Sequence, residues 1–219
     1  MNTTPDLIKA LSANLSPVRR LRKPGTRAAC WLMFAASILA LLAISQGIRP
    51  DLVQRLHEPG FALRIAGALL TGSLAALAAF MVSLPDRSQL WLLAPLPPLA
   101  VWLANIGYQC LTRWVDLRDD VLSLGETARC FATLVLTSLP LSLTMLLMLN
   151  YAAALRPAPV ALMAALAIAA MTATALSLFH ALEASVMVLM WNLGTAILFI
   201  ALAGLLTSGS ARRQRSGQG

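Results

Sequence analysis

Charged residues are scarce along this chain, and the places where they are missing predict its elements. Between Arg27 and Arg49 lie 21 residues without Asp, Glu, Lys or Arg, and between Arg64 and Asp86 lie 21 more. The interval from Arg87 to Arg113 holds 25, those on either side of Arg156 hold 26 each, and the last, from Glu183 to Arg212, holds 28. Each exceeds the roughly 18 residues that mark a membrane-spanning helix candidate. None alternates apolar and polar with period two, as the strands of a membrane barrel do. Helices are then the way to satisfy the backbone in lipid. Six spans are predicted, near residues 28–48, 65–84, 89–112, 130–150, 158–179 and 185–206. The fold class that follows is an all-α membrane protein, a six-transmembrane-helix bundle. The first run is too long for the core of a cleaved signal peptide, and no small-x-small cleavage site is suitably placed.

Two of the apolar runs carry further pattern. The third begins Trp91-Leu92-Leu93-Ala94-Pro95-Leu96-Pro97-Pro98, and its three prolines remove backbone donors, which predicts a kink or an unwound stretch there. The second is rich in small residues, and Ala68 with Gly72 forms a small-xxx-small spacing that lets helices approach closely. Ahead of the first run, residues 1–15 predict a short amphipathic helix. Pro5 suits a first helical position after Thr4, and Leu7, Ile8, Leu11 and Leu15 fall on one face. A helix this short is marginal alone in water, so the stripe needs lipid headgroups or a partner protein to lie on.

Composition agrees with the pattern: of 219 residues, 58% are hydrophobic and 12% charged, with a mean hydropathy of +0.75. A soluble domain carries about twice that charged fraction. The net charge of +8 could suggest nucleic acid, but its distribution reads as topology. Arg19, Arg20, Arg22, Lys23 and Arg27, with Lys9, form a basic cluster beside the first span. Such a cluster resists translocation. With both termini cytoplasmic, 11 Lys and Arg lie inside and 6 outside, while seven of the nine acidic residues fall outside. The expected organisation is a cytoplasmic amphipathic and basic segment over 1–27, a transmembrane domain over 28–206, and a disordered cytoplasmic tail over 207–219. The basic cluster is also suited to anionic lipid headgroups.

Candidate chemistry gathers at the predicted outer face. Cys110 closes the third span there, Cys130 opens the fourth, His180 closes the fifth and Glu183 precedes the sixth. Such a set can bind a borderline-soft ion such as zinc, or the two thiols can form a disulfide in an oxidising compartment. The alternative is structural: Cys is a common small apolar residue in helices, and a lone His often caps a helix end. Cys30 reads as packing. No HExxH, phosphate-binding glycine loop, GxSxG or CxxC is present, so no enzyme signature appears. No cofactor is implied.

Two stretches carry a resemblance. One is Leu7-Ile8-Lys9-Ala10-Leu11-Ser12 through Pro17-Val18-Arg19-Arg20-Leu21, followed by Pro24, Arg27 and Trp31. The other runs Leu178-Phe179-His180-Ala181-Leu182-Glu183-Ala184-Ser185-Val186-Met187-Val188-Leu189-Met190-Trp191-Asn192-Leu193-Gly194. With the six spans, and Leu124-Gly125-Glu126 running into Cys130, they resemble the NrsF family of inner-membrane anti-sigma factors. The resemblance implies that the protein holds an extracytoplasmic-function sigma factor at the membrane and releases it on stress. Its partner is then that sigma factor, with no direct nucleic-acid contact. The docking surface so implied comprises Leu7, Ile8, Leu11, Leu15, Pro17, Arg19, Arg20, Leu21, Arg22 and Lys23, an apolar stripe beside fixed positive charge. Family members carry a cysteine at the place of Cys130, and many carry another where this chain has Ala181. Cys110 is the available substitute. Two rivals stay open: a small transporter or channel built on the proline-broken third span, and a membrane enzyme of thiol redox or metal handling.

Overall fold

The computed structural model describes Thr4 and residues 22–48, 50–113, 124–150 and 157–179, and of residues 109–113, 124–130 and 150 the backbone alone. Every regular element among them is a helix. They are α1 (Pro24–Gln46), the short α2 (Leu52–Leu56), α3 (Pro59–Val82), a 3-10 turn (Gln89–Leu93), α4 (Leu96–Arg113), α5 (Leu124–Asn150) and α6 (Pro157–Phe179). Five stretches are long and apolar enough to cross a membrane: Pro24–Gln46, Pro59–Val82, Gln89–Tyr108, Phe131–Leu149 and Pro157–Phe179. The expected sixth span near 185–206, the amphipathic helix over 1–15 and the tail over 207–219 lie outside the described residues.

Proline punctuates this architecture. Pro24 and Pro59 open α1 and α3 from the first turn, where a missing N–H costs nothing. In the third span the proline run does break the helix. Ser88 accepts a bond from the Leu90 N–H, a 3-10 turn follows, and residues 94–95 form a turn before α4 begins with Pro97 and Pro98 in its first turn. Gly47 ends α1 at a φ of 78°, with its N–H bonded to the Ala43 carbonyl at 3.2 Å. Few other residues adopt that backbone without strain.

The most extensive interface joins α3 to α6. α4 lies along α3, while α1 and α5 pack on each other and on α3 and α6 respectively. Small side chains fill the interior: Ala75, Ala76, Ala78, Ala79, Ala167 and Ala170 are all buried, whereas Leu136, Leu139, Leu143 and Leu147 on α5 are exposed. This is the arrangement lipid favours, because apolar tails give helices no hydrophobic reason to associate and close packing must do it. A Cβ on Gly72 would meet Met171 Cε at 3.0 Å and Ala170 Cβ at 3.3 Å. A Cβ on Gly67 would meet Trp102 Cβ at 3.1 Å. The spacing of small residues on α3 thus seats two neighbours, with Ala68 in a cluster with Trp102, Ile106, Ala170 and Ala173. Several buried hydroxyls are satisfied within their own helices. Thr71 donates to the Gly67 carbonyl at 2.7 Å, Thr172 to that of Ile168 at 2.8 Å, and Thr174 to that of Ala170 at 2.9 Å.

Candidate functional site

The basic segment joins the bundle at Lys23. Arg22 and Lys23 are exposed, and Lys23 precedes Pro24 at the start of α1. The Lys23 carbonyl accepts from the Arg27 N–H at 3.2 Å and from Thr26 Oγ1 at 2.6 Å, which fixes the first turn. One turn further, the chain turns its last clustered cation inward. Arg27 is only 6% exposed, its guanidinium lies 4.9 Å from the centroid of the Phe80 ring, and its Nη2 donates to the Met148 carbonyl.

That acceptor explains why a charge can be buried here. Met148 is among the last four residues of α5, whose carbonyls have no partner within the helix. The α5 C-terminus also carries the negative end of its helix dipole, where a cation is favourable. Arg27 therefore caps another helix across the bundle. The Phe80 face adds a cation–π contact in a site from which water is largely excluded.

Trp31 sits one helical turn below Arg27 on the same face. It is fully buried, and its Nε1 donates to the Leu141 carbonyl at 3.2 Å. Pro140 precedes that residue inside α5 and supplies no N–H to the ladder. Thr144 Oγ1 bridges the local carbonyls, donating to Pro140 at 2.8 Å and Leu141 at 3.1 Å. At the far end of the same two helices, Thr133 Oγ1 donates to Gln46 Oε1 at 2.9 Å. α1 and α5 are consequently joined at both ends and between. The bonds pair the start of α1 with the end of α5, so the two helices run antiparallel.

Among the proposed docking residues, Leu7, Ile8, Leu11, Leu15, Pro17, Arg19, Arg20 and Leu21 lie outside the described residues. Cys110 falls in the last turn of α4, and Cys130 lies three residues before Thr133 in α5. α4 packs along α3, whereas α5 packs on α1 and α6. His180 and Glu183 lie outside the described residues. Cys30, expected to pack, is exposed instead. The inward face of α1 is Arg27, Ala28, Trp31, Ala35 and Leu42, and Cys30 is not on it. Sequence reasoning missed Arg27 as a site residue and placed Trp31 only at a span end. A second inward cation, Arg64 of α3, is 8% exposed and stacks 5.1 Å from the centroid of Phe61.

A junction that seats a basic, proline-bounded segment on a helical bundle agrees with the resemblance drawn from sequence, and a family model decides it. The model of NrsF, described as negative regulator of sigma F, matches residues 11–212. The chain belongs to the NrsF family. That family's name makes its members negative regulators of a sigma factor. No curated protein and no solved structure matches the chain.

Proposed function

We propose that this NrsF-family chain is a six-span protein of the bacterial inner membrane, with both termini in the cytoplasm. It holds an extracytoplasmic-function sigma factor away from RNA polymerase and gives it up on stress. The family match over 11–212 carries this reading. The docking surface is the arm ahead of α1: Leu7, Ile8, Leu11 and Leu15 as the apolar stripe, with Pro17, Leu21 and the cations Arg19, Arg20, Arg22 and Lys23 beside it. An apolar stripe flanked by fixed positive charge suits helix-in-groove docking on an acidic surface. The same cations rest against anionic lipid headgroups while the arm is empty. Cys130, Cys110, His180 and Glu183 form the sensing end in the periplasm. The protein is a regulator and catalyses no reaction.

Support comes from the way the arm is mounted. Its last residues run without a break into α1, whose first turns are held by Arg27 and Trp31. The break at residues 94–95 favours the alternative, a small transporter, because interrupted spans line substrate paths. Flux in proteoliposomes without any effect on sigma-dependent transcription is the result expected of that alternative.

The test is co-purification from detergent of the full chain with its sigma factor, against a chain lacking residues 1–21. This truncation keeps Arg27 and the start of α1. Capture is expected to vanish while the bundle stays folded, and undiminished capture refutes the assignment. Reporter fusions that put the arm in the periplasm refute it equally.

A further inference from the structure

Among the described residues, hydrogen bonds cross from α1 to α5 at three levels: Gln46 with Thr133, Trp31 with Leu141, and Arg27 with Met148. They span 19 residues of α1, roughly 28 Å of helix. We propose that this seam is the element through which the periplasmic end of the bundle sets the order of the cytoplasmic arm, with Arg27 as its positioning residue. The proposal rests on the reading of the arm as the partner-holding segment.

Four observations carry it. First, α5 alone among the described helices joins Cys130, at the outer end, to the carbonyl that Arg27 grips at the inner end. Second, the seam differs from the α3–α6 interface. There, small residues hold the helices together by close approach, and a Cβ added at Gly72 would meet Ala170 Cβ at 3.3 Å and the Ala167 carbonyl oxygen at 3.4 Å. Third, polar bonds between helices in lipid are individually weak, so they can exchange without unfolding the bundle. Fourth, Arg27 binds a backbone carbonyl, so its grip depends on the axial position of α5. A slide of α5 by one residue, about 1.5 Å, draws that oxygen away from the guanidinium and weakens the bond. The first turn of α1 then loses its anchor, and the arm continuous with it loses its orientation. A ligand at the periplasmic end that prefers the shifted packing would drive this change.

The experiment is amide hydrogen exchange over residues 24–30 in the full-length protein, held in phosphatidylethanolamine–phosphatidylglycerol nanodiscs. Thr133→Val deletes the outer bond and keeps the side-chain shape. Thr137→Val, one turn further along α5, deletes a hydroxyl bonded within its own helix to the Thr133 carbonyl at 2.6 Å, and serves as the control. Exchange over 24–30 is expected to quicken roughly threefold in Thr133→Val, the factor an average hydrogen bond between membrane helices is worth, and to stay at the wild-type rate in Thr137→Val. An unchanged rate in Thr133→Val overturns the proposal, and so does an equal rise in both variants. Protection over residues 65–80 reports whether the bundle is folded. If Thr133→Val loses that protection, Gln46→Ala removes the same bond from the exposed side, with the same rise expected and an unchanged rate again overturning the proposal. Capture of the sigma factor by wild type, scored on the same samples, separates the two readings. Distant exchange without capture sinks the sigma-holding assignment and keeps the seam, while capture without distant exchange does the reverse.

Discussion

Arg27→Met tests whether the buried guanidinium holds α1 in place or is merely tolerated. Methionine preserves an unbranched apolar stem and removes the charge. The variant loses the bond to the Met148 carbonyl, worth about 1.5 kcal/mol at the upper end for interhelical bonds in membranes. It also loses the stacking on Phe80 at 4.9 Å, worth about 1 kcal/mol where water is partly excluded. Against this stands the relief of no longer burying a cation, about 1 kcal/mol this close to a helix end, where the mid-membrane cost is much reduced. The balance is a destabilisation of about 1.5 kcal/mol, or a fall in Tm of about 3–6 °C for a chain of this size. Thermal unfolding in detergent, followed by tryptophan fluorescence, measures it. Arg27→Lys keeps the charge but lacks the planar fork, so its Tm should lie between the other two. An unchanged or raised Tm in Arg27→Met refutes the account, because desolvation would then outweigh the contacts.

Two further pairs of variants probe the packing. Trp31→Phe removes the Nε1 donor and keeps most of the ring, at an expected cost of about 1 kcal/mol. Trp31→Ala empties a fully buried site and should cost about 3–5 kcal/mol; equal Tm values for the two would show that the ring packs nothing. Gly107→Ala adds a Cβ with nothing within 4 Å and should stabilise α4 by up to about 1 kcal/mol through helix propensity. Gly67→Ala meets Trp102 Cβ at 3.1 Å and its Cα at 3.4 Å, atoms that cannot swing aside. It should be destabilising by about 1 kcal/mol once the propensity gain offsets part of the strain. Thermal unfolding of both glycine variants decides, and identical shifts would contradict the close α3–α4 approach.

Much of the helical layout is legible in the chain because lipid imposes one requirement, a long apolar run, that sequence displays directly. The proline break and the small-residue stripe of α3 are legible for the same local reason. Arg27 is not. Counting residues between charges ends each run at the nearest Arg or Asp, so a cation buried in the first turns of a span is assigned to the loop by construction. α1 in fact begins at Pro24 and α3 at Pro59, ahead of Arg27 and Arg64. Pro59 after Glu58 is the signal that could have moved the second boundary. The partners of Arg27 and Trp31 lie 121 and 110 residues away, and no local pattern encodes contacts at that separation. That Gly72 faces α6 while Gly67 faces α4 is equally invisible to periodicity, which gives a helix face but not the neighbour it meets.

The separation of 121 residues between Arg27 and Met148 also has a temporal meaning. At about 5–20 residues per second of synthesis, the guanidinium waits on the order of 6–24 seconds for its acceptor to emerge. Throughout that interval the start of α1 is unlatched. A ribosome that stalls before α5 therefore leaves α1 without its latch, and on the proposed reading of the arm, competence to restrain a sigma factor is acquired only by the finished molecule.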